Sequence, residues 1–459
     1  MRIDATKIES LGKPGWSSML RYVADLHAQS IRPAIPPFPH AWEDIGPGYC
    51  YGPAFGHWDI VHAILDVLPF DPAHARRQIE NNLAGQQEDG LLPGAIYIRE
   101  GKAVLKTEFD PADARPKTEN NLAGEQEDGL LPGAICMREG KADLDTEVGH
   151  PPVWPFAVQD YVDIHGPEIL PTAYATLVRQ IRWFEQKRKA QGQGFFYTDI
   201  LNHKWESGVD EGIRFLEAQT GPFACVDATS HVFALYTYAK RWAQALGEDP
   251  SDYEGAADTL KAFIQDDLFV EETGYFHDIW AVQDPALRCF AFEGMWPVVV
   301  GAATPEQARR VIEENLLNPK RFYTEHPLAT VSVDDPRFEL RMWRGPAWNS
   351  MTYWAARGCM NYGECASAAA LLERALDDSA VQFERTGTIW EFYHPHGGRP
   401  EDVQRKPATE FNTPCRDYLG HNPLLAMALL YDKAKIKEEV EHNDGQISSG
   451  SSLPDGLSS

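Results

Sequence analysis

Apolar residues three and four positions apart recur along most of the chain. They do so in Ser18–Gln29, Trp58–Leu68, Val153–Ile164, Thr172–Ala190, Ser230–Leu246, Tyr253–Ile264, Pro305–Leu317, Pro346–Arg357, Glu364–Phe383 and Asn422–Lys433. This spacing predicts amphipathic helices, each with one apolar stripe turned to a core. The connections Ile35–Gly56, Tyr197–Arg214, Arg321–Arg344 and Gly387–Tyr418 are long and rich in Gly, Pro and aromatic residues. Loops of that length inside a compact domain usually carry function. No strand–helix alternation runs through the chain, which disfavours a doubly wound sheet or a TIM barrel. The expectation is an all-α toroid whose loops form a cleft at one end. Residues 438–459 turn polar and Ser/Gly-rich, which reads as a disordered tail after a single domain over 1–437.

One segment breaks the pattern. Residues 70–108 and 109–147 form two abutting units of 39 residues, identical at 30 positions. Two copies do not make a solenoid, so a recent in-frame duplication is the simpler reading, with one copy surplus to the fold. The first copy can run as a helix through Asp71–Gly85. In the second, Pro116 stands where the first has Arg77, and an interior proline costs about 3 kcal/mol. The helix is expected from the first copy and the loop before His150 from the second, with extra residues around 100–138 bulging at the surface or the two copies competing for one slot.

Composition narrows the partners. The chain has 459 residues and a formal net charge of −26. Such acidity argues against nucleic acid or an anionic membrane and leaves a small polar molecule such as a sugar open. The seven cysteines form no CxxC pair and no His cluster has finger spacing, so neither a disulfide framework nor a structural zinc is expected. No apolar run of membrane-spanning length and no signal peptide is visible, which points to a cytoplasmic protein. No nucleotide-binding or zinc-protease motif occurs, so no cofactor and no metal are expected. The oligomeric state is open.

What stands out is carboxylates set among aromatics and glycines. Asp210 follows Trp205-Glu206-Ser207-Gly208-Val209, and Glu391 sits in Ile389-Trp390-Glu391-Phe392-Tyr393. Hydrolysis of a glycosidic bond needs two carboxyl groups, one protonated and one ionised, and aromatic faces for the sugar's C–H surface. Met342-Trp343-Arg344-Gly345-Pro346-Ala347-Trp348 and His57-Trp58-Asp59 offer such faces with an Arg and an Asp beside them. Read as residues alone, Asp210 is also explained by a solvated acidic loop, Glu391 by an exposed position alternating with core, Arg344 by a loop cap, and Asp59 by a helix N-cap. Glu410, after the basic, flexible run Arg399 to Lys406, is a weaker alternative base, and His394 and His396 are expected at the surface, with tuning of Glu391 as the alternative.

Taken in this order, with Asp128-Gly129-Leu130-Leu131-Pro132, Pro151-Pro152-Val153-Trp154 and Ser332-Val333-Asp334-Asp335-Pro336, the segments resemble glycoside hydrolase family 63. The similarity is to its mannosylglycerate and glucosylglycerate hydrolases, with family 37 trehalases more distant, and it spans about residues 50–430. The resemblance implies an (α/α)6 barrel and an inverting α-glycosidase with Asp210 as general acid and Glu391 as general base. It places Trp58, Asp59, Trp205, Trp343, Arg344, Trp348 and Tyr393 at the sugar, with Trp154, Glu410 and His421 as further substrate-binding candidates. Glu211-Gly212 after the acid and Tyr418-Leu419-Gly420-His421-Asn422 depart from the family pattern and bear on the substrate. The expected substrate is a small α-glucoside or α-mannoside, with a glycerate conjugate favoured and Arg341 or Arg344 pairing its carboxylate. A neutral disaccharide such as trehalose or kojibiose, a sugar-binding protein that has lost catalysis, and a sugar epimerase or isomerase are the alternatives.

Overall fold

The computed structural model describes residues 3, 5–99, 102–105, 148–202 and 205–449. Its main helices alternate between an outer and an inner ring. The outer ones are α1 (Ser17–Gln29), α3 (Pro72–Ala84), α5 (Leu170–Lys187), α7 (Ser251–Asp267), α9 (Pro305–Arg310) and α11 (Cys365–Thr386). The inner ones are α2 (Asp59–Val67), α4 (Trp154–His165), α6 (Val226–Leu246), α8 (Trp296–Val299), α10 (Asn349–Asn361) and α12 (Leu424–Ser449). Sequence explains the division. In α11 the buried positions Ala368, Leu371, Leu372, Ala375, Leu376 and Ser379 recur at three and four, so one stripe faces inward and charged residues face water. Every residue of α2 is buried, as a helix enclosed on all sides requires.

The ring closes. α2 packs on α4, α6 on α8, α8 on α10, α10 on α12, and α12 back on α2. Between α4 and α6 the join is a ring contact of Trp154 with Trp242, 5.8 Å between centroids. α1 lies against α12 as its outer partner. This double ring is the expected (α/α)6 toroid. Local signals set the helix ends. Asp71 caps α3 by accepting from the His74 N–H ahead of Pro72. Thr304 and Gln307 form a reciprocal capping box on α9. The helical pattern past α9 continues as a π-helical turn, Val311–Leu316, which keeps Val311, Ile312, Asn315 and Leu316 buried. α12 runs on to Ser449, beyond residue 438 where the disordered tail was expected. Glu438, Glu439 and Glu441 there are good helix formers.

Small antiparallel sheets trim the loops: β1 (Ile31–Arg32) with β2 (Trp42–Glu43), β3 (Ala54–Gly56) with β4 (Ala95–Arg99), and β4 with β5 (Lys102–Leu105). The first copy of the repeat thus supplies α3, β4 and β5. It also supplies the turn through Gly90, whose φ is +101° and where a Cβ would lie 2.3 Å from the Arg179 carbonyl oxygen. The second copy, including Asp128–Pro132 and most of the range where a bulge is expected, lies outside the described residues. The described cysteines are free thiols. Among the described residues no helix is long and apolar enough to cross a membrane.

A buried network ties α1, α2 and α3 together at the ring. His27 pairs with Glu43 through Nδ1 and with Asp66 at 3.0 Å through Nε2, and His74 Nε2 lies 2.7 Å from Glu43. Burial alone would lower the His27 pKa, but Glu43 and Asp66 outweigh it and raise it from 6.5 to about 10. Burial likewise opposes ionised Glu43, yet the two histidines bring its pKa down from 4.5 to about 2. The His27 contribution to stability is therefore complete below pH 6.5 and is lost as pH rises through about 10. The Glu43 contribution is complete above 4.5 and is lost as pH falls through about 2. Urea unfolding across pH 6–10 is expected to show a falling stability whose slope flattens in His27→Gln. A variant with the parent's slope would contradict the assignment.

Candidate active site

The long connections that lead from an outer helix into the next inner one open at the same end of the ring. Together they line one cleft. The α1–α2 connection brings Tyr49, Tyr51, Trp58 and Asp59, and the α3–α4 connection brings Ala95 and His150. The α5–α6 connection supplies Trp205, Gly208 and Asp210, and the α9–α10 connection supplies Met342, Trp343 and Trp348. Glu391, Arg405, Lys406, Tyr418 and His421 come from the α11–α12 connection.

The loop of Asp210 is anchored from below. The buried Glu206 accepts from Arg188 Nε at 2.7 Å and Nη2 at 2.8 Å, and from the Thr198 N–H at 2.8 Å. Ser207 donates to Asp199 at 2.7 Å. Gly208 has φ +72°, and a Cβ there would lie 2.8 Å from the Trp58 ring, so only glycine lets the turn pass over that indole. Glu211, beside the acid candidate, has φ +60° and is clamped from the α9–α10 connection. Arg341 pairs with its carboxylate through Nε at 2.9 Å, and Arg344 Nε donates to its carbonyl at 2.8 Å.

The two carboxylates candidate for catalysis each meet a cation. Glu391 accepts from Arg405 Nε at 2.6 Å and Nη2 at 3.0 Å, and from the Cys415 N–H at 3.0 Å. Asp210 Oδ2 lies 3.2 Å from Lys406 Nζ. Burial works against the Lys406 ammonium, but the attraction of Asp210 and Tyr51 outweighs it, so its pKa is raised. Asp59 is a third buried carboxyl. Burial lifts its pKa to about 7 against the hydrogen bond from the Tyr418 hydroxyl at 2.6 Å. Near neutrality it can thus donate to one hydroxyl or accept from another.

Aromatic rings make the walls. Trp343 stacks on Trp348 with centroids 3.8 Å apart and planes 5° apart, and Trp58 lies 6.2 Å from Trp343. His421 sits edge-on to Trp58 and to Trp348, both at 4.8 Å, and contacts the Ser350 hydroxyl through Nδ1 at 2.7 Å. Burial pushes its pKa well down, so it is a neutral part of the wall. Trp205 meets His150 edge-on at 5.2 Å.

Trp58, Asp59, Trp205, Asp210, Trp343, Trp348, Glu391 and His421 therefore come together in the cleft. The other candidates do not line it. Trp154 points into the core, where its Nε1 donates to Gln180 at 2.8 Å. Arg344 is spent behind the cleft on Glu211 and on Glu339 at 3.2 Å. Tyr393 is buried one layer down, stacked on His326 at 4.4 Å. Glu410 is exposed on its loop. His396 faces Glu325 at 3.5 Å, and His394 accepts from the His396 N–H, so neither reaches Glu391. Arg405 and Lys406 were missed because they belong to the stretch that reads as a basic flexible run. The signal for them is indirect: buried carboxylates require cations.

Cys225, Asp227 and Asp278 bring metal-capable atoms within 4.8 Å of one another away from this cleft. Both carboxylates there are engaged by Arg214, at 2.7 Å each, and Glu293 joins at 2.8 Å. This donor set is built around a guanidinium.

The family model of the mannosylglycerate hydrolase MGH1-like glycoside hydrolase domain matches residues 53–412. The chain belongs to this family. It is a glycoside hydrolase of family 63 type, related to mannosylglycerate hydrolase. Solved structures repeat the fold at low identity. The family 63 mannosylglycerate hydrolase from Thermus thermophilus in complex with Tris and D-glycerate is 18% identical with a TM-score of 0.63. The match covers 90% of this chain and 99% of that one. The same enzyme in complex with glucose gives 18% and 0.62 with the same coverage. Neutral trehalase from Saccharomyces cerevisiae is 14% identical with a TM-score of 0.57, covering 90% of this chain and 79% of that one.

Proposed function

We propose that this glycoside hydrolase cleaves a small α-glucoside or α-mannoside with inversion, Asp210 serving as general acid and Glu391 as general base. The observation that carries the reading is the meeting of these two carboxylates in one aromatic-walled cleft from connections 181 positions apart in sequence. Each has surroundings suited to its part. Glu391 accepts three hydrogen bonds, two of them from a guanidinium, a donor set that fits a carboxylate able to take a proton from water. Asp210 is part-exposed to the cleft, where a leaving oxygen can reach it. The stacked Trp343 and Trp348 with Trp58 offer faces for a pyranose ring. In the reaction Asp210 gives its proton to the glycosidic oxygen as the C1–O bond breaks. Glu391 takes a proton from the water whose oxygen bonds to C1 from the opposite face.

A glycerate conjugate is the favoured substrate. Membership of a family described by mannosylglycerate hydrolase supports it, and so does the cation Lys406 in the cleft wall. A panel of mannosylglycerate, glucosylglycerate, trehalose, kojibiose and nigerose tests this reading. Turnover of a glycerate conjugate above the neutral disaccharides is expected. Preferred turnover of a neutral disaccharide would overturn the substrate assignment.

A further inference from the structure

Arg405 and Lys406 are consecutive, yet their side chains part towards different carboxylates. The two contacts differ in kind. Arg405 holds both oxygens of Glu391, and each side chain is 2% exposed. Lys406 reaches one oxygen of Asp210 with one N–H, and the Asp210 side chain is 27% exposed. Catalysis asks opposite things of the two carboxyls: the base arrives ionised, the acid arrives with a proton. An ammonium beside a carboxylate favours the ionised form. It suits a base and obstructs an acid, so Lys406 opposes the role of Asp210 unless something in the bound complex draws the ammonium away.

We propose that Lys406 couples the charge of the leaving group to the acid: a carboxylate on the aglycone accepts the Lys406 ammonium, and Asp210, released from the ion pair, takes up its proton. A neutral aglycone leaves the pair closed. The inference rests on the reading of Asp210 and Glu391 given above. Lys406 is well placed for it, because its ammonium lies 3.2 Å from the acid, within reach of a group carried by the leaving oxygen that the acid protonates. The other charged and titratable groups facing the cleft are otherwise disposed. Arg405 is committed to Glu391, Tyr51 accepts from Arg405 at 3.3 Å and lies under the Lys406 ammonium, Asp59 is hydrogen-bonded by Tyr418, and His150 and His421 pack among the tryptophans. Arg341 and Arg344, the sequence-based candidates for a glycerate carboxylate, are engaged by Glu211 and Glu339. With the ammonium on the aglycone carboxylate, the chemistry is a simple hydrolysis. The proton on Asp210 goes to the glycosidic oxygen with the C1–O electron pair, the water's oxygen bonds to C1, and Glu391 keeps the water's proton. One water is added and no redox partner is needed.

The test compares α-glucosylglycerate with α-glucosylglycerol, and the mannosyl pair likewise, on the parent and on Lys406→Met. Within a pair the substrates share sugar and linkage and differ in the carboxylate. The parent is expected to show a kcat about 10–100-fold higher on the glycerate conjugate, the range of one charged hydrogen bond. Lys406→Met should erase the kcat preference by raising kcat on the neutral substrate towards that on the anionic one, while the anionic substrate, deprived of its ammonium, shows a raised KM. In the parent alone, the alkaline limb of kcat should lie at higher pH for the glycerate conjugate than for the glycerol conjugate, a reading that needs no variant to fold. Equal kcat with coincident limbs in the parent would overturn the proposal while leaving the glycosidase reading intact. So would a Lys406→Met protein that melts like the parent and loses the same factor on both substrates. A parent inactive on all of them would overturn the glycosidase reading, and the proposal with it.

Discussion

Asp210→Asn is expected to lower kcat by about 10²–10⁴-fold on a substrate whose leaving group needs a proton, the range for loss of a general acid. Its melting temperature is expected to fall, because the buried Lys406 ammonium then faces a neutral amide. The loop itself stays anchored by Glu206 on Arg188 and by Ser207 on Asp199, so folded protein remains for the kinetics. The loss should shrink sharply on an α-glycosyl fluoride, which departs with little protonation. Glu391→Gln should lose activity on both substrates, because attack by water is still required. If Asp210→Asn were equally impaired on the fluoride and on the natural linkage, Asp210 would be holding the sugar and not protonating the leaving oxygen.

Arg405→Met carries the largest expected change in stability, a loss of about 3–5 kcal/mol. Arg405 and Glu391 are each 2% exposed and joined by two hydrogen bonds. Removing the guanidinium leaves a carboxylate buried without its main partner, and that uncompensated charge is what destabilises. The double variant Arg405→Met/Glu391→Leu should recover most of the loss, since apolar side chains of similar volume can replace a buried pair at little cost. Urea unfolding of parent, single and double variants measures both effects. A single variant within about 1 kcal/mol of the parent would place the pair in a solvated environment and remove the basis for its role in the cleft.

Much of this architecture was legible in the sequence for a definite reason. An outer helix of a toroid buries one stripe, so α11 shows Leu371, Leu372, Ala375 and Leu376 at helical spacing against charged neighbours. α8 escaped because four residues buried on every side, Trp296–Val299, carry no period. Asp210 and Glu391 were legible because a carboxylate among glycines and tryptophans is unusual. Their cations were not. Lys and Arg are rarely fully buried unless paired, and the pairing of Lys406 with Asp210 spans 196 positions, which no local pattern encodes. Trp154, Arg344 and Tyr393 lie in the right segments, but tertiary packing turns them from the cleft, onto Gln180, Glu211 and His326. For the repeat, Pro116 favours the first copy as the helix former; α3 lies in that copy, and the second lies outside the described residues.

Proton NMR of the sugar as it is first released from an α-glucosyl or α-mannosyl glycerate, before the anomers equilibrate, distinguishes inversion from retention. Asp210 as acid and Glu391 as base on water predict the β-anomer as the initial product, absent in both Asp210→Asn and Glu391→Gln. Initial release of the α-anomer would contradict the account. It would mean that a carboxylate attacks the sugar directly and that Glu391 does not act by activating water.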